Sequence, residues 1–208
     1  MNSSWLIPRC FEGGVVAVLA SGPSMSQQVA DQVHIAGIPA IAVNTTFKLA
    51  PWAWMLYAAD TEWWQHPDNA SAHRFAGLRV SCQAVKGVHM LRNAGQVGFS
   101  TSADCVHTLG NSGAQAMQIA IKTGAAKVLL LGMDMGGDHW HGEHPPGLRS
   151  TIAETYIKWV ERITAAAPAI LATGTEVINC TPCSALKCFR MSTLDDELQS
   201  LGVAWPGL

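Results

Sequence analysis

Charge is what this 208-residue chain has least of: Asp, Glu, Lys and Arg together make up 13%, about half the quarter usual for soluble domains. With 13 Lys and Arg against 15 Asp and Glu, the formal net charge is −2. No diffuse basic field is available to hold nucleic acid non-specifically. Composition leaves a local basic groove open, but no basic stripe argues for one. Long apolar runs are also missing. The longest strand-like run, Val15–Ala20, falls far short of the roughly 18 residues a membrane helix needs, so no membrane partner is expected. Met1–Pro8 carries no basic residue ahead of an apolar stretch, and Glu12-Gly13-Gly14 separates it from the apolar run at Val15. No signal peptide is expected, and the expected location is the cytoplasm. A cysteine framework is absent too. Cys180-x-x-Cys183 with Cys188 beyond it has no second pair at zinc spacing, so the six cysteines are expected to be buried thiols and not a disulfide framework. No G-x-G-x-x-G occurs, which removes the usual support for NAD. With no repeat, low-complexity tract or linker, residues 1–208 are expected to form a single domain.

What is present is a large apolar fraction, 49% of residues, distributed in a regular alternation. Val15–Ala20 is β-branched and aliphatic with no polar face, the pattern of a strand buried on both sides of a parallel sheet. Ser21-Gly22-Pro23-Ser24 stops it, a helix is expected from about Met25 to Ala36, and Ala40–Val43 makes a second strand ending at Asn44. This is a βαβ unit. Trp52–Ala59 contains a third strand ending at Asp60, while Leu78–Cys82 and Val88–Leu91 alternate as peripheral strands do. Residues 93–104 read as a loop. Asn111-Ser112-Gly113 opens a helix closed by Thr123-Gly124, and Lys127–Leu131 is another buried strand, ending at Gly132-Met133-Asp134. After an irregular stretch, Ile152, Tyr156, Trp159, Val160 and Ile163 form a helical stripe. Glu176–Asn179 is a last strand and Leu194–Leu201 a last helix. The expected fold is α/β: a doubly wound, mostly parallel open sheet, Rossmann-like, in three α/β/α layers.

Such sheets bind ligands beyond the carboxyl ends of their strands, so the residues that end strands carry the functional information. Gly22 permits a tight turn, Pro23 suits a first helical position, and Ser24 with the N–H groups behind it would then form an anion cradle. An ordinary helix cap is the competing reading. Asn111-Ser112-Gly113 has the same character; together the two starts favour a nucleotide. Asn44, Asp60 and Asp134 should share one rim, where carboxylates can hold Mg²⁺, bind ribose or act as a base; Asp60 and Asp134 are the metal candidates. The densest feature is Gly136-Gly137-Asp138-His139-Trp140-His141-Gly142-Glu143-His144. His139 and His141 can share a face, with His144 returning around Gly142. Packing gives no reason for three histidines in a polar loop; a metal site, a general base or phosphate neutralisation does. The pairs Trp52/Trp54 and Trp63/Trp64 suit core packing better than base stacking. Lys187 and Arg190 are candidates for the rim. With so little charge, phosphate binding is expected to rest on backbone N–H groups and helix ends.

The ordered set Val18-Leu19-Ala20-Ser21-Gly22-Pro23-Ser24, Ala42-Val43-Asn44, Asn111-Ser112-Gly113 and Leu131-Gly132-Met133-Asp134 resembles a Rossmann-like transferase superfamily. One branch contains the archaeal 6-hydroxymethylpterin diphosphokinase, the other small bacterial sialyltransferases. Residues 40–64 and 111–148 also look like uncharacterised proteins of phages and prophages, which would place the chain in a host cytoplasm. The resemblance implies that Gly22, Pro23, Ser24, Asn44, Ser112 and Gly113 surround a nucleotide or nucleotide sugar; Ser21, Asp60, Asn111 and Gly132 join them as nucleotide-binding candidates by their place at the strand ends and the helix start. Asp134 would lie beside phosphate or metal, with a histidine among His139, His141 and His144 as acid/base. Two departures stand out: Ser21 replaces the Asn or Ala usual in the first turn, and the histidines come almost directly after Asp134. The leading expectation is a nucleotide-sugar glycosyltransferase. The alternatives are a Mg-ATP diphosphokinase or phosphotransferase and a non-catalytic nucleotide-binding phage protein. Nothing in the sequence sets the oligomeric state, so a homo-oligomer stays open.

Overall fold

A computed structural model describes residues 5–148 and 151–202. Its centre is an eight-stranded sheet built from β1 (Val15–Leu19), β2 (Ala40–Val43), β3 (Met55–Tyr57), β4 (Leu78–Ser81), β5 (His89–Met90), β8 (Lys127–Leu131), β9 (Glu176–Asn179) and β10 (Arg190–Met191), in spatial order β10-β9-β8-β1-β2-β3-β4-β5. Every pairing is parallel. Two short strands, β6 (Arg92–Asn93) and β7 (Cys105–Val106), pair separately. The doubly wound, Rossmann-like α/β architecture expected from the strand pattern is thus present.

The middle strands are buried on both faces, which is why they read as unbroken apolar runs. Val16 and Val18 point into one core, Ala17 and Leu19 into the other. The first core is covered by α3 (Ser112–Lys122) and α4 (Ala153–Leu171); the second by α1 (Gln27–Ile35), α2 (Thr61–Gln65) and α5 (Leu194–Ser200). Helix α3 is buried along nearly its whole length. It comes this close because Gly113 lacks a side chain: a Cβ there would lie 2.5 Å from Met133 Sδ and 3.4 Å from Ala20 Cβ. No helix among the described residues is long and apolar enough to cross a membrane.

The strand order places the site. From β1 the chain winds outward through β2 to β5, then returns to lay β8 on the other side of β1 and continues to β9 and β10. The direction of winding therefore switches between β1 and β8, and the loops that leave them diverge above the carboxyl ends.

Two expectations need correction. Helix α1 begins at Gln27, capped by Ser26 Oγ, which accepts from Val29 N–H at 3.3 Å. Pro23 is therefore not its first residue, and Ser24 does not present its free amides. Residues 22–25 instead form a turn in which Met25 N–H donates to Gly22 C=O at 3.0 Å. Ile152, placed in the apolar stripe of the long helix, is that helix's N-cap and is 61% exposed.

Candidate functional site at the switch point

A cavity of about 650 Å³ opens between the loops after β1 and β8. Its floor is the strand ends: Ser21 and Gly22 after β1, Asn44 after β2, Asp60 after β3, and Gly132 and Asp134 after β8. The start of α3 supplies Asn111, Ser112 and Gly113, and the loop after β8 supplies His139 and His144. Pro23, Ser24 and His141 do not reach its surface. The Trp52/Trp54 and Trp63/Trp64 pairs do not either; Trp63 and Trp64 are buried in the second core. Lys187 and Arg190 are not at the rim: Arg190 is ion-paired with Glu176 at 3.0 Å and Glu197 at 2.8 Å.

The rim is held in unusual backbone conformations. Of the four non-glycine residues with positive φ among those described, Asn44 (50°) and Met135 (58°) line the cavity themselves, and Leu109 (48°) directly precedes Gly110 on its wall. Left-handed backbone costs a non-glycine residue energy, and such positions gather at functional sites. At Asp60 and Asn111 the competing helix-cap reading can be judged directly. Asn111 Oδ1 does cap α3, accepting from Ala114 N–H at 3.0 Å, whereas the Asp60 side chain makes no cap bond to α2.

The first turn acts as an organiser of side chains. Ser21 Oγ is turned inward, donating to Val43 C=O at 3.1 Å and lying 3.1 Å from Thr46 Oγ1. Gly22 N–H donates to Gly132 C=O at 2.9 Å, joining the β1 and β8 loops. Asp134 then lies directly over Gly22. Its Oδ2 accepts from Ser24 Oγ–H at 2.8 Å, and burial raises its pKa against the lowering effect of the Ser24 hydroxyl and backbone N–H. Residues 181–185 clamp the same strand end: Thr181 Oγ1 accepts from Met133 N–H at 2.9 Å, and Ala185 N–H donates to Asp134 C=O at 3.0 Å.

The histidine loop is pinned to the same turn. Trp140 N–H donates to Ser21 C=O at 3.1 Å, and its indole Nε1–H donates to Thr46 Oγ1 at 3.0 Å. Gly142 (φ 81°) closes the loop on itself through its N–H to His139 C=O at 2.9 Å. The three imidazoles consequently meet, with ring centroids of His139 5.1 Å from His141 and 4.4 Å from His144. His139 Nδ1 lies 3.2 Å from Ser21 C=O. A carbonyl can only accept, so Nδ1 carries the proton and Nε2 is left as a base. Burial lowers the pKa of all three rings, His141 to about 4 with help from its imidazole neighbours and Lys48. They are neutral at pH 7. His141 Nε2 and His144 Nδ1 are buried with no hydrogen-bond partner among the described residues. Even so, no group of three or more His, Cys, Asp or Glu among the described residues could hold a metal ion. A metal here would need ligands from the substrate, with Asp60 and Asp134 as the protein's share.

Sequence reading missed the far wall. Thr155, Tyr156, Lys158, Trp159 and Arg162 line the cavity from α4, with Gln96 and Gly110 beside them. The signal was available: Thr155, Lys158 and Arg162 stand at i, i+3 and i+7, one helix face. The apolar stripe of the same helix concealed it. Beside the backbone N–H groups and helix ends expected to carry phosphate, two cations, Lys158 and Arg162, line the cavity. Compared with protein-family models, curated proteins and solved structures, the chain shows no match.

Proposed function

We propose that the protein is a nucleotide-dependent transferase that moves a glycosyl group from a nucleotide sugar, with His139 as general base. The observation that carries this reading is the fixed tautomer of His139 on the cavity wall: Ser21 C=O holds Nδ1–H, so Nε2 can accept a proton at neutral pH. The cavity volume of about 650 Å³ suits a nucleotide carrying one sugar, within the ~300–1,000 Å³ of small-molecule sites. In the step, an acceptor hydroxyl transfers its proton to His139 Nε2 as its oxygen bonds to the anomeric carbon. The bond from that carbon to the phosphate oxygen breaks, and the nucleotide leaves with the electron pair. The resulting imidazolium keeps its Nδ1–H bond to Ser21, and Asp134 stands at the same end of the cavity to favour the positive charge.

A thermal-shift screen with CMP, UDP and ATP, each with and without Mg²⁺, tests the reading. Stabilisation by CMP or UDP without metal is expected, as is release of that nucleotide from its sugar conjugate. His139→Ala should abolish release while preserving the thermal shift. A second reading has its own support: Asp60 and Asp134 line the same cavity, and one or two carboxylates plus substrate phosphates are the usual Mg²⁺ ligands. Stabilisation only by ATP with Mg²⁺ would replace sugar transfer with phosphoryl transfer. Binding without any turnover would make the protein a nucleotide-binding module.

A further inference from the structure

The cavity is electrically divided. Asp60, Asp134, His139 and His144 lie at the strand ends and in the loop after β8, while the two cations among the described lining residues, Lys158 and Arg162, come from α4. One helical turn separates them, so their side chains sit on the same face. Arg162 is held in place from two sides. Gln96, with its amide oxygen turned toward the guanidinium, accepts from Nη1 at 3.2 Å and Nη2 at 3.3 Å. Gly110 lets the guanidinium lie against the backbone, since a Cβ there would come within 2.8 Å of Arg162 Nη1 and 2.6 Å of Trp159 Nε1. Neither cation has a carboxylate within ion-pair distance among the described residues, whereas Arg9, Arg92, Lys127 and Arg190 all do. A neutral amide orients Arg162 without neutralising it.

We infer that Lys158 and Arg162 form a phosphate subsite on α4, which holds the diphosphate end of a nucleotide away from the carboxylates and close to the Gly110 turn. The guanidinium supplies a fork that can meet two oxygens of one phosphate, and the ammonium supplies a movable point charge for the next. The β1 turn, the usual place for such an anion in this architecture, is occupied here by Asp134 and by the inward hydrogen bonds of Ser21 and Ser24. A carboxylate over that turn repels phosphate, and the α4 wall attracts it. The inference rests on the nucleotide reading for its ligand, but its residues are different.

Calorimetric titration of the full chain with inorganic pyrophosphate tests it, with malonate as a carboxylate control. The wild type is expected to bind pyrophosphate at millimolar or lower concentration, more weakly as salt rises. Lys158→Gln/Arg162→Gln should lose about tenfold or more in affinity, while Arg9→Gln, which removes an exposed cation outside the cavity lining, stays within about twofold. If the double variant fails to fold, Lys158→Gln alone, at an exposed position, should still lose about threefold. Equal binding by wild type and variant, no pyrophosphate binding by the wild type, or tighter binding of malonate overturns the subsite. Should CMP, UDP and ATP all fail to stabilise the protein while pyrophosphate binding depends on Lys158 and Arg162, the subsite stands and the nucleotide reading falls. Should a nucleotide stabilise wild type and double variant alike, the reverse holds.

Discussion

Gly22→Ala is the most demanding test of how the site is assembled. A Cβ at residue 22 would lie 2.5 Å from Gly132 C=O and 2.8 Å from Asp134 Cγ, and closer still to Asp134 Oδ2. None of these is the far end of a flexible chain: the carbonyl belongs to the β8 end, and the carboxylate is fixed by Ser24. Overpacking of this kind costs about 1–3 kcal/mol. Moving Asp134 adds the loss of its bond to Ser24, about 1.5–3 kcal/mol for a hydrogen bond to a charged group. The expected loss is about 3–5 kcal/mol, or a fall in Tm of about 6–20 °C for a chain of this size. Urea unfolding tracked by tryptophan fluorescence measures it. Gly136→Ala is the control, because a Cβ there meets nothing within 4 Å and should change stability by no more than about 0.5 kcal/mol. In an Asp134→Ala background the Gly22→Ala cost should shrink by about 1.5–3 kcal/mol, because the Ser24 bond is already gone and only the Gly132 contact remains. A Gly22→Ala protein within about 1 kcal/mol of wild type, or a cost unchanged by Asp134→Ala, would refute the account of this turn as the packed junction between the β1 and β8 loops.

Three further outcomes rest on the same geometry. The depressed imidazoles make folding sensitive to acid: because the unfolded chain takes up protons below about pH 6.5 and the folded cluster resists them down to about 4 at His141, stability is full above 6.5 and declines as pH falls toward 4. Replacing His139, His141 and His144 together by Gln should flatten that slope in pH-dependent urea unfolding, and parallel slopes would count against it. Asn111→Ala removes the α3 cap and should cost about 1 kcal/mol, seen as a lower urea midpoint with unchanged m-value. Tyr57→Phe deletes a buried hydroxyl that donates to Gln115 Oε1 at 2.6 Å and lies 3.0 Å from Cys82 Sγ; leaving Gln115 unsatisfied should cost about 1–3 kcal/mol, and a neutral effect would show that the amide finds another donor.

The parts of this molecule legible in its sequence are those whose partners are generic. Val15–Leu19 and Lys127–Leu131 need only an apolar surround on both faces, so composition announces them, and their order in the chain implies where they end. Hence Asn44, Asp60, Asp134 and the start of α3 could be assigned to one rim from the sequence alone. What the sequence concealed depends on specific partners far away. Ser21, Ser24 and Ser26 are equally good helix caps on paper; Ser26 caps because Gly22 N–H is taken by Gly132 C=O and Ser24 by Asp134, bonds spanning 110 residues. Arg190–Met191 is a two-residue edge strand, both residues exposed, and has no pattern to read. Lys158 and Arg162 share a helix with a strong apolar stripe, and a stripe identifies the buried face without saying what the neighbouring face looks upon.

The long-range bonds also change what the first turn is for. Read locally, Ser21-Gly22-Pro23-Ser24 is a cradle for an anion, with its hydroxyls and amides turned to the ligand. In the fold each of its residues except Pro23 is engaged with the protein: Ser21 Oγ with Val43 C=O, Ser21 C=O with His139 and Trp140, Gly22 N–H with Gly132, Ser24 Oγ with Asp134. Two of those contacts set chemistry directly. The Ser21 carbonyl decides which nitrogen of His139 is basic, and the Ser24 hydroxyl offsets part of the burial that raises the Asp134 pKa. The turn therefore sets the base and the carboxylate in a fixed relation through one four-residue segment, and a carboxylate so placed leaves it poorly suited to phosphate. Under the proposed reading, phosphate must then find its counter-charge elsewhere in the cavity, and among the described lining residues that charge lies on α4.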